Sequence, residues 1–260
     1  MQQANLAGFS QSLERGLAIL QAFTPDRPAL GISELARDLG LTRSTTHRYV
    51  ATLAALGYLQ QDEPTRKYRL GPRVLDLGFS VLGSLDIREI AAPHLRRLTE
   101  ATGHTSNLAI RDDTDVILIE RVRGRPGRYH HLEYSLHAGS RLPSYCSATG
   151  KALLAFLPRP DLDRLLDRVE LIQRGPRTLT SREALHAELA QVRRTGIAVN
   201  DEELESALRS IAVPIRSRTG EVVAAVNVAI PWSPAPMSEL VGQLGPTRQA
   251  TARQIGSWVS

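Results

Sequence analysis

"LTRSTTHRYVATLAALGYL", residues 41–59, begins with a run of polar and basic side chains and ends as a regular apolar helix closed by a glycine. Ser, Thr, His and Arg are middling to poor at packing a core or favouring a helix. The back half behaves differently, because Val50, Leu53, Ala54 and Gly57 fall at i, i+3, i+4 and i+7, the spacing of a packed helical face. The front half must therefore serve something other than the core. Thr42 is placed to cap this helix, and Arg43, Ser44, Thr45, Thr46, His47 and Arg48 fill the turns that follow.

The flanking sequence explains the polar front. Upstream, residues 12–23 read as a helix with Ser12 as its cap and Leu13, Leu17 and Leu20 on one face. "TPDRPALG" breaks that helix. A short helix after Ser33 then sets Ile32, Leu35, Ala36 and Leu39 at core spacing and stops at Gly40. Two helices joined by a short turn with a glycine form the helix-turn-helix pattern, whose second helix is offered to the major groove. Downstream, "YLQQDEPTRKYRLG" gives two short strands, 58–61 and 67–70, around a turn holding Asp62, Pro64 and Thr65: a wing that carries Arg66 and Lys67. Residues 10–71 thus read as a winged helix-turn-helix. On its recognition helix, Arg forks suit guanine edges or phosphates, and Ser and Thr serve either.

Charge is distributed accordingly. Of the 32 basic residues in the 260-residue chain, all but Lys67 and Lys151 are arginine, a bias spread along the whole chain and given no functional weight. Residues 1–40 carry three basic against four acidic side chains. Residues 41–73 carry six (Arg43, Arg48, Arg66, Lys67, Arg69, Arg73) against Asp62 and Glu63. The net charge of +5 is largely this local excess, as a nucleic-acid footprint requires. With no apolar run of 18 residues, no leader-like N-terminus and a single cysteine, Cys146, the chain reads as a cytoplasmic protein with no membrane partner, no disulfide and no Cys-rich zinc module.

Residues 72–86 are apolar on nearly every face of a helix, with Leu75 and Phe79 on one stripe and Val74, Leu77, Val81 and Leu85 on another. With Leu82, which continues the stripe of Leu75 and Phe79, they read as a linker helix that another chain or domain must cover. Residues 87–260 alternate helices and strands around an antiparallel hairpin, 209–216 and 221–230, as expected of a mixed α/β domain. The fold class is α+β.

In "PSYCSATGKALLAFL" a phosphate loop is excluded, since Tyr145 stands where its first glycine belongs and Ala152 follows Lys151. A Cys146 nucleophile lacks a base at recognisable spacing. Two readings remain: a capped helix packed on a sheet, or a helix started by Ser147 whose small residues Ala148, Thr149 and Gly150 expose N–H groups to an anion. In "EVVAAVNVAI" one face (Val222, Ala224, Val226, Val228, Ile230) is the larger, and the other (Val223, Ala225, Asn227, Ala229) is small and carries one amide. Ser210, Ala212 and Pro214 repeat the small face on the preceding strand. Small side chains with one Asn and one Ser make either a seat for close helix packing or the floor of a small polar pocket, and the pocket is favoured. The acidic run "NDEELE", 200–205, lacks the glycine and ligand spacing of a metal loop and reads as a solvated loop near the pocket. Adjacent His130 and His131 cannot share a helix face, so no metal is expected. Arg141 and Arg209 are expected in surface ion pairs.

"SLERGLAILQAF", "ISELARDLGLTRSTTHRYVATLAALGYL", "YRLGPRVLDLG", "SATGKALLAFL" and "DEELESALRSIAVPI", in this order, resemble the IclR family of bacterial transcription regulators over residues 10–258. "RLPSYCSATGKALL" and "ELESALRSIAVPIRSRTGEVVAAVNVA" are similar to its Pca/Pob group, which controls catabolism of protocatechuate, 4-hydroxybenzoate and related aromatic acids. The resemblance implies a GAF-like C-terminal domain that binds a small effector, no cofactor and no catalysis, with homodimers or tetramers acting on double-stranded operator DNA. It also implies an effector site at Ala148, Thr149, Asn200, Ser210, Asn227 and Ala229, and Cys146 and Ser147 at the helix start complete the expected effector-binding set. The expected effector is a small organic acid, aromatic or a ring-cleavage product. The competing classes are a regulator of another carbon-source pathway, an enzyme with an appended DNA-binding domain, and a structural nucleic-acid-binding protein.

Overall fold

A computed structural model describes residues 8–83, 85–125, 135–230 and 235–259, and these fall into two compact units that divide after Gly83. In the first unit α1 (Gln11–Gln21) is capped by Ser10, whose hydroxyl accepts from Leu13 N, so the cap lies two residues before Ser12. Its core face also differs from the expected one. Ile19 is buried with Phe23, and of the expected residues Leu20 packs against them, whereas Leu13 and Leu17 are exposed. Helix α2 (Ile32–Asp38) likewise starts ahead of the expected position after Ser33: Gly31 is its N-cap, and the Glu34 carboxylate accepts from Gly31 N at 2.7 Å. That N–H, ahead of Lys67, holds the Glu34 carboxyl below its ordinary range. Gly40 turns the chain with φ +64, a left-handed conformation that glycine adopts at no steric cost. Thr42 then caps α3 (Arg43–Ala55) by accepting from Thr45 N at 3.2 Å.

The wing follows. β1 (Leu59–Gln61) and β2 (Tyr68–Leu70) pair antiparallel, and Leu30 bridges to Tyr68 on the far side through two backbone hydrogen bonds. Asp62 shapes the turn, accepting from Thr65 N at 3.1 Å, and Arg66 sits at its end with φ +57. Ile19, Phe23, Leu30, Leu35, Val50, Leu59 and Tyr68 close one core. Helix α4 (Arg73–Gly83) leaves Leu75, Leu77, Phe79 and Val81 exposed.

The second unit is built on a six-stranded, wholly antiparallel sheet of order β5-β4-β3-β8-β7-β6. Its strands are β3 (Thr105–Asp112), β4 (Asp115–Val122), β5 (Arg141–Pro143), β6 (Ala198–Asp201), β7 (Arg209–Arg216) and β8 (Val222–Ile230). Helices α5 (Asp86–Thr102) and α9 (Met237–Gly256) pack on one face, where Ser106 donates to Leu95 O. Helix α6 (Ala148–Leu154) packs on the other face, with α7 (Arg159–Leu166) and α8 (Arg182–Thr195) in the same core.

The two faces of the 222–230 strand are thus put to different uses. From Ala224 to Ile230 the larger side chains face α5 and α9, and the small ones, with Ala109 of β3, admit α6 closely; Val222, beside an irregularity in the register, packs with the α6 core. A Cβ at Gly150 would lie 2.1 Å from Ser144 O, so only glycine allows that approach. Among the described residues no helix is long and apolar enough to cross a membrane.

Candidate functional site

Two sites emerge, one in each unit. On α3 the side chains of Arg43, Ser44, His47 and Arg48 are exposed and Thr45 is half-buried. None of Arg43, Arg48 and Arg66 has a carboxylate partner among the described residues, although Arg27, Arg37 and Lys67 of the same unit are ion-paired. An arginine held on a helix front with no protein counter-charge is available to phosphate or guanine. Thr46 is different. It is 0% exposed and donates to Thr42 O at 3.0 Å, one helical turn before the buried Val50, so it belongs to the core and not to the exposed front of the helix, contrary to its expected place among the DNA-binding residues. Arg66 is exposed on the wing, whereas Lys67 sits 3.2 Å from a Glu34 carboxylate oxygen and ties the wing to α2.

The second site is a small, partly enclosed cavity of about 20 Å³, with room for about one water molecule. Ser147, Ala148, Thr149, Asn200, Ser210, Asn227 and Ala229 line it together with Asn107, Leu118, Leu136, Leu142, Leu204 and Leu208. The register explains the convergence. Asn200 pairs with Ser210 and Ser210 with Ala229, while Asn107 and Ala212 flank Asn227 on either side. Asn107 donates to Asn227 Oδ1 at 2.8 Å and accepts from Arg121 Nη1 at 2.7 Å. Asn200 Oδ1 accepts from the backbone N–H groups of Glu203 and Leu204 at 2.8 and 3.3 Å. At the start of α6, Ser147 accepts from Gly150 N at 3.2 Å and donates to Pro143 O at 2.8 Å.

Cys146 lies outside the cavity lining. Its thiol is buried and pushed up to about 12, first of all by desolvation. It is a packing residue: a thiolate, the reactive form, is strongly disfavoured there. The acidic run is less solvated than expected. Glu203 is buried with Oε1 2.5 Å from Lys151 Nζ, and Lys151 also reaches Glu188 at 3.1 Å. Arg209 likewise is buried, 2.7 Å from an Asp201 carboxylate oxygen, while Arg141 pairs at the surface with Asp112 and Asp115. His130 and His131 lie outside the described residues, among which no three His, Cys, Asp or Glu side chains group as a metal site.

Asn107 and the five leucines from loops and neighbouring strands were not legible as site residues. Asn107 alone carried a signal, the single amide in "TSNLAIRD" that alternates with Ala109, as Asn227 alternates with Ala225 and Ala229.

Residues 12–63 match the IclR helix-turn-helix domain, and residues 79–257 match the bacterial transcriptional regulator IclR C-terminal domain. The HTH-type transcriptional regulator XynR of Escherichia coli is 36% identical over 249 residues, covering 95% of this chain and 97% of XynR. The Pca regulon regulatory protein of Pseudomonas putida is 36% identical over 247 residues, covering 95% of this chain and 83% of that protein. Among solved structures, an IclR homolog of Microbacterium hydrocarbonoxydans complexed with 4-hydroxybenzoate superposes with TM-score 0.79 at 29% identity, covering 95% and 98% of the two chains. The helix-turn-helix that exposes Arg43 and Arg48 and the sheet-borne polar cavity sit in the two stretches that these family models match, and this chain belongs to the IclR family of bacterial transcriptional regulators.

Proposed function

We propose that this regulator binds operator DNA through α3 and the wing, and that a small organic acid, aromatic or a ring-cleavage product, controls that binding from the α6 cavity. The observation that carries the reading is the cavity's composition. Three asparagines and the Ser210 and Thr149 hydroxyls converge in a space otherwise walled by leucine and alanine, the pattern of a small site with few, placed polar groups. The bound 4-hydroxybenzoate of the Microbacterium homolog fits the same class of ligand.

The acid's carboxylate is directed to the Thr149 hydroxyl and the unpaired N–H groups of Ala148 and Thr149, and its other polar group to Asn227 or Ser210. Any aromatic acid is larger than the cavity in this conformation, so binding must move part of the wall. The segment bearing Leu204 and Leu208 is suited to this, because Glu202 and Ala207 hold φ of +61 and +60, a conformation costly for side-chain-bearing residues. A ligand that binds one conformation better than the other shifts the population, and through it the spacing of the two recognition helices in a dimer.

Calorimetry with protocatechuate, 4-hydroxybenzoate, 3-oxoadipate and muconate, followed by gel shift on operator DNA, tests the proposal. At least one acid is expected to bind and to change operator affinity. Asn227→Leu is expected to abolish that response and spare DNA binding, because a ligand hydroxyl left unpaired costs about 1–3 kcal/mol. Equal binding of the acid by wild type and Asn227→Leu would place the effector elsewhere. The equal identity to XynR favours a second reading, control of a different carbon-source pathway, and sugar acids in the same titration decide between the two.

A further inference from the structure

We infer that Arg121, which is not part of the cavity lining, fixes the hydrogen-bonding sense of the cavity floor, so that the ligand group meeting Asn227 and Asn200 must be an acceptor (a carboxylate, carbonyl or phenolic oxygen) and not an amine. This deepens the effector reading and rests on it for the identity of the cavity as the ligand site.

A guanidinium carries N–H donors and no acceptor, whereas a side-chain amide has one end of each kind. Arg121 of β4 stands opposite Asn107 of β3, with Nη1 2.7 Å from the Asn107 amide, and the atom it meets must therefore be Oδ1. That leaves the Asn107 NH2 group for the next strand. It lies 2.8 Å from the Asn227 amide, and because an amide NH2 does not accept, the facing atom of Asn227 must be its oxygen. The free end of Asn227 is then its NH2 group, and Asn227 lines the cavity. One donor-only side chain thus sets the polarity of a row of residues across three strands.

Asn200 reaches the same outcome independently. Its oxygen accepts two backbone N–H groups, Glu203 at 2.8 Å and Leu204 at 3.3 Å, and backbone N–H groups can only donate. Its NH2 is the end left over. No Asp, Glu or His is among the cavity-lining residues described, and the Ser210 and Thr149 hydroxyls can turn to serve either sense. The fixed polar groups of the floor are therefore two donors. An amine brought against them would oppose donor to donor and leave both partners unpaired.

The orientation can be read without a ligand, by cross-hydrogen-bond NMR couplings in the isotope-labelled full-length chain. A coupling from Asn107 Nδ2 to Asn227 Cγ is expected. The reverse coupling, from Asn227 Nδ2 to Asn107 Cγ, overturns the inference. Arg121→Leu removes the constraint and is expected to abolish the single orientation, whereas Arg121→Lys keeps a donor-only side chain and is expected to preserve it. An unchanged coupling in Arg121→Leu would show that Arg121 does not set the sense.

In a second arm, wild type is expected to bind 4-aminobenzoate at least about tenfold more weakly than 4-hydroxybenzoate. Asn227→Asp, which turns an oxygen toward the cavity, is expected to lose about 10- to 100-fold in affinity for 4-hydroxybenzoate and to reduce or reverse the preference. Equal binding of the two probes by wild type, or undiminished 4-hydroxybenzoate binding by Asn227→Asp, counts against the inference. If wild type binds neither probe, the aromatic-acid reading fails and the couplings alone decide the polarity.

Discussion

Lys151 is 0% exposed, and what makes that tolerable is Glu203, whose carboxylate meets it at 2.5 Å from the loop after β6. Burial raises the Glu203 carboxyl above its ordinary value of 4.5, and the neighbouring Lys151 offsets this only in part. A carboxyl whose folded pKa is raised contributes stability that is fully present below the unfolded pKa and is lost as pH rises through the folded pKa. Lys151→Met removes the partner and pushes the folded value further up. The variant is therefore expected to be nearly as stable as wild type in acid, where Glu203 is neutral, and less stable by about 3–5 kcal/mol at pH 7, where a buried charge stands uncompensated. Replacing both residues, Lys151→Met with Glu203→Leu, is expected to recover most of that loss. Urea unfolding between pH 4 and 8 measures both, and a deficit that does not change with pH would show that Lys151 acts by packing alone. The pairing was not readable from "NDEELE", which looks like a solvated acidic run. Only the return of the chain past α6 turns Glu203 inward, and sequence spacing carries no information about a contact between positions 151 and 203.

Helix α3 divides along its length and around its axis, and the two divisions have different consequences. Arg43 and Arg48 are exposed without a carboxylate partner among the described residues, so Arg43→Ala or Arg48→Ala is expected to weaken operator binding and leave stability nearly unchanged. A lost bidentate base contact costs about 1–3 kcal/mol and relaxes specificity at one position, while a lost phosphate contact weakens all sequences alike. Thr46→Ala is expected to do the reverse: it lowers unfolding free energy by about 1 kcal/mol through the lost buried hydroxyl bond and leaves sequence preference intact. Gel shifts on cognate and scrambled DNA, paired with thermal melts, separate the cases. Unchanged affinity in both arginine variants would remove α3 from the interface.

The helix, its Thr42 cap and the wing were legible because they depend on local spacing, turn residues and charge. Thr46 was legible too, lying four residues before Val50, but the composition of the polar front outweighed the period. The faces of α1 were harder. Leu13 and Leu17 continue the stripe of Leu20 as regularly as Phe23 continues that of Ile19, yet only Leu20 of the three packs against the domain's own core, and periodicity cannot say which stripe meets it. The cavity was half legible for a related reason. Small residues and single amides mark a strand face, but that β3 lies beside β8, and that Leu204 and Leu208 close the wall, follows from topology and not from any local pattern.

At the scale of the molecule the exposed apolar side chains decide the prediction. Leu13 and Leu17 on α1, and Leu75, Leu77, Phe79 and Val81 on α4, are about half exposed or more, with Phe79 at 66% and Leu75 at 59%. Burying a side chain of this kind is worth about 1.5–3 kcal/mol, so several in one small unit favour association strongly over exposure to water. DNA reading argues in the same direction. A single winged helix contacts too few base pairs to select an operator, whereas two held one helical turn apart read a symmetric site. The protein is therefore expected to sediment as a dimer or larger at micromolar concentration, above the 28.5 kDa of one chain. Phe79→Glu places a charge on the exposed face without touching the unit's core, and is expected to shift the equilibrium toward monomer with thermal stability and any acid binding to the cavity retained. Operator affinity is expected to fall at least tenfold, with the remaining binding losing its preference for paired half-sites. Sedimentation equilibrium with and without operator DNA measures the first effect, and gel shifts on single and paired half-sites the second. A wild-type protein that runs as a 28.5 kDa monomer both free and on DNA would mean that these side chains are covered by something other than a second copy.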